Sequence, residues 1–319
     1  MKENLKLPNF FIAGVYKAGT TSLYHYLKQH PEIYMSPIKE PYFFARDFFK
    51  NKLRKDFAKS LKLDLKKYFS QRPLKEIYAA LVERWEDYVK LFEEAKSEKA
   101  IGEASVGYLY SQSAPYEIFK RVPEAKIIIV LRNPIERAFS HYLMDLNLGF
   151  VKEPFLELLK KELSLKEKKW GTSHLYLEYG LYSKYLSRYL EVFPSYNVKI
   201  YLFDDFKKEP KKILKDIFTF LNVDPNFKVD ISQKYNETQI PRIRNSVTAW
   251  FLRQFWLRAA INKVLPQKIK PLIKNALFTN SSGLSLSSEE KEFLKNFYKE
   301  EIKRLSFLLK RDLSGWLSC

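Results

Sequence analysis

The residues with the clearest chemical potential form a short stretch that combines glycine, lysine and hydroxyl side chains. It covers residues 14–21, Gly-Val-Tyr-Lys-Ala-Gly-Thr-Thr, between an apolar run and a helical pattern. Backbone N–H groups in such a turn point inward, and the start of the helix adds the positive end of its dipole. Gly19 lets an anion approach the backbone closely, and Lys17 adds a positive charge. We predict an anion-binding loop here; the alternative is a strand-to-helix turn that binds nothing.

A second candidate follows the strongest strand signal in the chain, the β-branched run Lys126–Leu131. ATP-binding loops of the form G-x-x-x-x-G-K-[ST] place their lysine after the second glycine, whereas here it comes two residues before. A nucleoside triphosphatase also needs a carboxylate at the end of a strand to help hold Mg²⁺, and this strand is followed by Arg132. Asp204 and Asp205 end another apolar run, so a triphosphatase or nucleotide kinase is disfavoured but stays an alternative. Lysine and arginine at these places favour a phosphate-rich nucleotide that binds without a metal.

These two candidates must be brought together by the strands and helices around them. Apolar runs alternate with helical patterns, which predicts an α/β fold with a P-loop-like, doubly wound parallel sheet of about five strands flanked by helices. The predicted strands are residues 9–15, 33–35, 101–105, 126–131 and 198–203, and the predicted helices are 20–29, 114–121, 134–146, 182–193 and 210–221. Thr20 or Thr21 suits the cap of the first helix, and Asn133 suits the cap of the third. Ser285 suits the cap of a last helix.

The remaining segments are predicted to cover this sheet. Residues 37–44 are predicted as a loop, and residues 47–99, rich in Lys, Glu and Leu at helical spacing, as two or three helices that include 74–96. We expect 47–99 and 147–178 to be insertions that shape the pocket for an acceptor. Residues 249–319 are predicted as a helical C-terminal part.

Together, these stretches resemble the sulfotransferases that use 3′-phosphoadenosine 5′-phosphosulfate (PAPS), in particular their heparan sulfate and bacterial branch. The most specific matches are residues 17–23 (K-A-G-T-T-S-L), similar to the family's 5′-phosphosulfate loop, and 131–142 (L-R-N-P-I-E-R-A-F-S-H-Y), similar to its 3′-phosphate motif. The supporting matches begin with K-E-P-Y-F-F at 39–44, which is similar to the family's K-E-P-H-F-F loop. The segment 103–109 is similar to its E-K-S-P-x-Y segment, and residues 180–203 and 312–316 are similar to its later blocks. The resemblance covers nearly the whole chain.

The resemblance implies an enzyme that takes the sulfuryl group from PAPS, releases 3′,5′-bisphosphoadenosine (PAP) and needs no metal. It implies that Lys17 neutralises the charge that grows on the leaving phosphate, and that Glu40 is the general base for the acceptor. The positions matched to nucleotide binding are Lys17, Ala18, Gly19, Thr20, Thr21 and Ser22 for the 5′-phosphate, and Arg132 and Ser140 for the 3′-phosphate. Arg242 and Arg244 are candidates for the loop that closes over the 3′-phosphate, although a plain basic loop explains them nearly as well.

Some of these positions have a second interpretation. Glu40 alternatively forms only an ion pair, and Lys39 beside it either binds the sulfonate or tunes Glu40. The chain has Ala104 where the family has lysine, which removes one contact to the sulfonate or the acceptor. It also has Tyr42 where histidine is common, which leaves the acceptor contact at that position open.

Other polar residues of the same regions have weaker signals. We interpret His30 and His141 as structural residues, whereas His174 stays open as part of an acceptor site. Arg137 is predicted to form a structural ion pair or to remain in solvent. None of these residues is needed for the nucleotide-binding interpretation.

Composition limits the class of protein. The 319 residues are 46% hydrophobic and 16% aromatic, which is enough to bury a large core within one domain across 1–319. The one cysteine, Cys319, excludes an intramolecular disulfide and a cysteine-based metal site. The net charge of +19 favours an anionic partner, such as nucleotide phosphates, an acidic polysaccharide, nucleic acid or a membrane surface, without choosing among them.

The acceptor is not encoded in a readable motif. By resemblance it is a carbohydrate, either a glycan or a glycolipid, and we expect no nucleic-acid partner. Residues 250–278 are basic and apolar, so they either cover the core as an amphipathic helix or make a peripheral contact with anionic lipid. The polar N-terminus and the lack of a long apolar window predict a cytoplasmic protein. A binding protein for nucleic acid or membranes, without catalysis, is the remaining alternative.

Overall fold

The computed structural model describes residues 6–49, 61–168, 174–233, 241–243, 278–280 and 284–318. Its strands are β1 (Phe10–Ile12), β2 (Ile33–Met35), β3 (Ile38–Glu40), β4 (Ile77–Ala79), β5 (Ala100–Ala104), β6 (Lys126–Leu131), β7 (Val198–Leu202), β8 (Pro241–Ile243) and β9 (Phe278–Asn280). Its helices are α1 (Thr20–Leu27), α2 (Arg46–Phe49), α3 (Leu65–Phe69), α4 (Trp85–Val89), α5 (Gly107–Tyr110), α6 (Ala114–Arg121), α7 (Pro134–Asn147), α8 (Phe155–Ser164), α9 (Tyr182–Val192), α10 (Phe203–Lys208), α11 (Pro210–Leu221) and α12 (Ser288–Leu309).

The centre of the fold is a sheet of five parallel strands in the order β2-β5-β1-β6-β7. The first strand of the chain lies in the middle, with β2 and β5 on one side and β6 and β7 on the other, which is a doubly wound arrangement. In β6, the five apolar residues after Lys126 are each at most 1% exposed, as a parallel strand covered on both faces requires. The predicted α/β class and five-stranded sheet are confirmed.

The helix starts show how local sequence places the two anion-binding candidates. The prediction that Thr20 or Thr21 caps α1 is wrong, because Gly19 is the N-cap and adopts the left-handed conformation with a φ of 79° and no side-chain capping bond. Asn133 caps α7 as predicted, since its Oδ1 accepts a hydrogen bond from the backbone N–H of Ile135 at 3.0 Å. Both helices follow the carboxyl end of a central strand, α7 almost at once and α1 after the loop of residues 13–19.

The cover over the carboxyl ends of the strands differs from the sequence prediction. The stretch 37–44, predicted as a loop, contains β3, and the stretch 74–96, predicted as a helix, contains β4 before α4 begins. The two strands pair in parallel, with Glu40 beside Ala79. Pairing gives partners to the backbone groups of both segments, which outweighs the helical spacing of the Leu and Lys residues.

The later segments are described only in part. The stretch 147–178 contains α8, and the region 244–277 lies outside the described residues. The helical prediction for 249–319 can therefore be compared only with the described residues. Within them, β9 is a strand that pairs antiparallel with β8, and α12 follows as a helix. The cap of α12 is Ser287 rather than Ser285, because Ser287 forms a capping box with Glu290.

Among the described residues, no helix has both the length and the apolarity needed to cross a bilayer.

The last described residues close against the start of α7. The Asn133 Nδ2 donates to the carbonyl of Trp316 at 3.1 Å, and the Trp316 indole N–H donates to Asp204 at 3.3 Å. Arg311 Nη2 donates to Asp205 at 2.9 Å. The two aspartates considered as metal carboxylates in the sequence are thus both engaged with the C-terminal segment.

We expect Gly102→Ala to destabilise the protein. A Cβ on Gly102 of β5 would lie 2.3 Å from the ring of Phe10 on β1, so the ring or the strand must move. Overpacking of this kind costs about 1–3 kcal/mol of the free energy of unfolding, which urea titration followed by circular dichroism measures. Gly315→Ala is the matched control, since beyond its two chain neighbours no atom of the described residues lies within 4 Å of a Cβ at that position. Equal stability of the two variants would contradict the expectation.

Candidate active site

The loop between β1 and α1 turns through two residues with positive φ. Lys17 has a φ of 66° and Gly19 a φ of 79°. A Cβ on Gly19 would lie 2.8 Å from the ring of Phe203, so glycine is required there both by the backbone conformation and by the packing. Ala18 is buried between them. The turn brings the backbone N–H groups of the first turn of α1, at residues 20–22, to the carboxyl edge of the sheet.

The guanidinium of Arg132 reaches this loop from the end of β6. Its Nη1 donates to the carbonyl of Lys17 at 3.0 Å, and its Nη2 donates to the Glu136 carboxylate at 3.0 Å. It also lies over the ring of Phe203, 5.0 Å from the centroid. The carbonyl of Arg132 accepts a hydrogen bond from the Tyr182 hydroxyl at 2.8 Å, which fixes the backbone at this point. The structure therefore brings the two anion-binding candidates of the sequence together.

The charges of Lys17 and Arg132 influence one another. Burial lowers the pKa of Lys17, and the Arg132 guanidinium lowers it further, whereas Asp145 raises it. Glu136, half-exposed on α7, pairs with the guanidinium of Arg132. An anion between the cations would remove their repulsion, so the electrostatics favour a bound phosphate or sulfonate.

Ser140 adds an unsatisfied hydroxyl on α7, two turns from Arg132. The residue is 6% exposed, and its buried Oγ has no hydrogen-bond partner among the described residues. A buried hydroxyl without a partner costs stability and is well suited to donate to an anion. The side chain of Arg242, whose backbone lies in β8, and the whole of Arg244 lie outside the described residues, so their predicted closing role stays a prediction.

Arg137, in the same helix, behaves differently from the prediction. Its side chain is fully buried, and its Nη2 donates to the carbonyl of Tyr176. It is therefore not in solvent, and no ion pair joins it to a carboxylate of the described residues. Its Nε and Nη1 have no hydrogen-bond partner among the residues that the structure describes. The sequence offered no signal for a buried, incompletely paired guanidinium.

Glu40 lies at the end of β3, deep in the cover. It is 1% exposed, and its Oε1 forms an ion pair with Lys39 Nζ at 2.7 Å. Its Oε2 accepts a hydrogen bond from the Tyr42 hydroxyl. Glu40 therefore forms the ion pair that was the alternative interpretation of this residue. Tyr42 donates to the same carboxylate. A carboxylate has about four lone-pair sites, so these two bonds leave capacity for an acceptor proton.

Behind this loop, a buried carboxylate that sequence reasoning did not identify holds it in place. Glu103 Oε1 accepts hydrogen bonds from the hydroxyls of Tyr88 at 2.6 Å and Tyr108 at 2.7 Å, and its Oε2 accepts one from Ser105 at 3.0 Å. Tyr108 and Ser105 in turn accept hydrogen bonds from the backbone N–H groups of the Glu40 loop, at residues 44 and 42 respectively. The signal available in the sequence was a glutamate and a serine two residues apart at the end of an otherwise apolar strand.

These contacts put two cationic side chains, a buried hydroxyl and a carboxylate around one edge of the sheet. The comparisons with known proteins show the family to which this fold belongs. The family model described as "Sulfotransferase domain" matches residues 7–306. The chain belongs to this sulfotransferase family. It is therefore a transferase, and the fold-class prediction and the family resemblance are both confirmed.

Named relatives of the sulfotransferase act on carbohydrates. It is 29% identical over 256 residues to carbohydrate sulfotransferase 15 of Mus musculus, which covers 69% of this chain and 44% of the relative. It is 23% identical over 318 residues to the human bifunctional heparan sulfate N-deacetylase/N-sulfotransferase 3, which covers 98% of this chain and 31% of the relative. The chain thus spans less than half the length of these curated relatives.

A solved structure of the same family is similar over its full length. The crystal structure of a sulfotransferase from Alicyclobacillus acidocaldarius superposes with a TM-score of 0.69 and 29% identity, covering 98% of this chain and 99% of that one. The similarity supports the fold around the site, in which Ala104 stands where the resemblance expects lysine. Ala104 is fully buried in the sulfotransferase and cannot supply a charged contact.

The histidines of the sulfotransferase divide into structural and open cases. His30 is buried and bonds to backbone groups. His141 Nε2 lies 3.7 Å from Asp145, and burial lowers the pKa of His141 to about 4, so its ring is neutral near pH 7. The same carboxylate lies 2.9 Å from His174 Nδ1 and accepts from the Tyr176 hydroxyl at 2.8 Å. The structural interpretation of His30 and His141 fits this geometry, and a role of His174 toward an acceptor stays a prediction.

We expect Glu103→Gln to change how stability depends on pH. Burial raises the pKa of Glu103 from 4.5 to about 7, because the hydrogen bonds it accepts do not offset the loss of hydration. The native state therefore binds more protons than the unfolded chain between those values, so this group makes the free energy of unfolding fall as pH rises through that window. Glutamine does not titrate, so the variant loses this slope and gains stability relative to the wild type from about pH 5 to about pH 8.

Urea titrations of both proteins across this range measure the difference. Glu117→Gln is the control, because Glu117 is an exposed carboxylate on α6. If the stability curves of Glu103→Gln and the wild type run parallel from about pH 5 to about pH 8, Glu103 does not titrate as described.

Proposed function

We propose that this sulfotransferase transfers the sulfuryl group of PAPS to a hydroxyl or amine of a carbohydrate, without a metal and with Glu40 as the general base. The family relation supports sulfuryl transfer, and the printed names of two relatives support a carbohydrate acceptor. The nucleotide, the base and the acceptor class are inferences from the site. The cytoplasmic location and the absence of a nucleic-acid partner stay predictions of the sequence.

The single observation that carries the proposal is the contact between Arg132 and the Lys17 loop. The Arg132 guanidinium donates to the Lys17 carbonyl at 3.0 Å, and burial together with this guanidinium lowers the pKa of the Lys17 ammonium. A nucleotide with phosphate groups at both its 5′ and 3′ positions offers two separate anions to this pair of cations. ATP offers one chain of phosphates and usually brings Mg²⁺, for which Asp204 and Asp205 would have to leave their C-terminal partners.

Each residue in the nucleotide site has a distinct task in this proposal. The N–H groups and hydroxyls of residues 19–22 bind the 5′-phosphate at the start of α1. Arg132 and Ser140 bind the 3′-phosphate, and the unpaired Ser140 Oγ supplies one of the donors. Lys17 neutralises the negative charge that accumulates on the 5′-phosphate as it leaves, which is the electrostatic contribution expected for group transfer of this type.

Glu40 takes the proton of the acceptor in this reaction. As the acceptor oxygen or nitrogen forms its bond to sulfur, the bond between sulfur and the 5′-phosphate oxygen breaks, and the products are a sulfated acceptor and PAP. Lys39 forms a buried ion pair with Glu40 at 2.7 Å, which orients the carboxylate. The Glu103 network holds the backbone of this loop, so the carboxylate is positioned before the acceptor arrives.

We expect PAP to raise the melting temperature of the protein in the absence of Mg²⁺ and ATP to raise it only weakly, because a ligand of the native state stabilises it by mass action. Arg132→Ala should weaken PAP binding about tenfold or more, since hydrogen bonds to charged groups contribute about 1.5–3 kcal/mol. Differential scanning fluorimetry and isothermal titration calorimetry measure both effects.

Arg84→Ala is the matched control for this experiment, because Arg84 is an exposed arginine in the cover. Its PAP affinity should equal that of the wild type. If Arg132→Ala binds PAP as tightly as Arg84→Ala does, Arg132 has no part in nucleotide binding.

We expect Glu40→Gln to retain PAP binding and to lose sulfuryl transfer by about 10²- to 10⁴-fold, the usual contribution of a positioned base. Transfer of ³⁵S-labelled sulfate from PAPS is measured on a panel of unsulfated chondroitin, N-deacetylated heparosan, a galactosyl lipid and p-nitrophenol. The substitution leaves the buried Lys39 unpaired, so PAP binding by calorimetry is measured first to confirm that the variant is folded.

Glu117→Gln serves again as the control variant, since it removes an exposed carboxylate of equal size. A Glu40→Gln variant that binds PAP and turns over like the wild type would remove Glu40 from the reaction. Transfer by the wild type to none of the carbohydrates would overturn the proposed acceptor class.

A further inference from the structure

Tyr78 is a residue of the cover that the reaction described so far does not use. It lies in the middle of β4, which pairs with β3 so that Ile77 is beside Ile38 and Ala79 is beside Glu40. Tyr78 and Lys39 are therefore cross-strand neighbours on one face of this small sheet. The pairing places a tyrosine directly next to the two charged residues of the Glu40 loop.

The ring of Tyr78 covers Lys39 on one side and is open on the other. Lys39 Nζ lies 4.9 Å from the centroid of the ring, within the range of a cation–π contact. Lys39 and Glu40 are 3% and 1% exposed, whereas Tyr78 is 60% exposed. The exposed ring of Tyr78 therefore forms part of the surface over this buried pair.

The hydroxyl end of Tyr78 lies beside both halves of the proposed site. The pKa of Tyr78 is raised: the Lys39 ammonium lowers it, and burial together with the Glu40 carboxylate outweighs that effect. The Thr21 hydroxyl, in the first turn of α1, is near enough to lower the pKa of Tyr78 as well. The phenol thus reaches the place where the carboxylate of the base and the loop for the 5′-phosphate come together.

We propose that Tyr78 is an acceptor-binding residue, with the open face of its ring packed against a sugar and its hydroxyl bonded to the group that is sulfated. This inference rests on the proposed sulfuryl transfer and adds the surface that receives the acceptor. A ring that is apolar on its face and polar at its tip suits a sugar, which presents C–H groups and hydroxyls together. Because it also contacts Lys39, the ring cannot turn away without exposing a buried charge pair.

A structural role alone does not explain this position. An exposed aromatic ring contributes little to a core, and single exposed apolar residues occur on any surface. Tyr196 is such a residue, 71% exposed, in the short turn that precedes β7 at the amino end of that strand. Tyr78 differs because its neighbours are the proposed base, its ion-pair partner and the nucleotide loop.

The experiment measures KM for the acceptor, kcat, and the affinity for PAP in Tyr78→Ala, Tyr78→Phe and the control Tyr196→Ala. The acceptor probes are unsulfated chondroitin and N-deacetylated heparosan, with ³⁵S-labelled PAPS as donor. Tyr78→Ala should raise KM for the acceptor about tenfold or more, the effect expected for loss of a central tyrosine contact, with PAP affinity unchanged. Tyr78→Phe keeps the ring and should show a smaller increase, and Tyr196→Ala should match the wild type.

An unchanged acceptor KM in Tyr78→Ala would overturn the assignment, while the activity of the wild type would leave the proposed function standing. An equal loss of PAP affinity in Tyr78→Ala would also overturn it, because the residue would then belong to the nucleotide site. Failure of the wild type to sulfate either polymer would instead count against the carbohydrate acceptor itself, and the inference would fall with it. The Phe variant retains the contact with Lys39 and so tests the hydroxyl without disturbing the fold.

Discussion

The site depends on one contact, the hydrogen bond from the Arg132 guanidinium to the carbonyl of Lys17. It joins residues 115 positions apart in the chain, which meet because β1 and β6 are adjacent parallel strands whose carboxyl ends lie at the same edge. The two cations repel one another, while Glu136 pairs with Arg132 and the Asp145 carboxylate acts on Lys17. The contact keeps two cationic residues at one edge of the sheet, which is what the proposed nucleotide site requires.

The parts of the fold that the sequence predicted correctly are those with strong local causes. The run Lys126–Leu131 has no alternative to a buried strand, since its β-branched residues are apolar on both faces. The Asn133 cap follows from a side chain that bonds to its own helix within two residues. Such signals act over a few positions, so they survive in any tertiary context. The spacing of the two anion motifs then made the shared edge of the sheet predictable.

The parts that the sequence did not predict depend on partners far along the chain. The strand Ile77–Ala79 has helical neighbours in sequence and becomes a strand only because β3 lies beside it. Glu103 bonds to Ser105 and Tyr108 of its own segment and to Tyr88 of α4, and the spacing of these residues alone does not show that they meet. Gly19 rather than Thr20 caps α1 because the loop needs a left-handed residue against Phe203. The acceptor side of the site is built mainly from contacts of this kind.

Asn133 bonds in two directions, and this narrows the choice of amino acid at the position. Its oxygen accepts from the N–H of Ile135, and its amide nitrogen donates to the carbonyl of Trp316. Aspartate and serine are equally good caps, but ionised aspartate has no proton to donate, and serine is too short to span both partners. Glutamine carries the same amide on a longer, more mobile arm. A library of all substitutions at this position should thus retain asparagine more strictly than helix propensity alone requires.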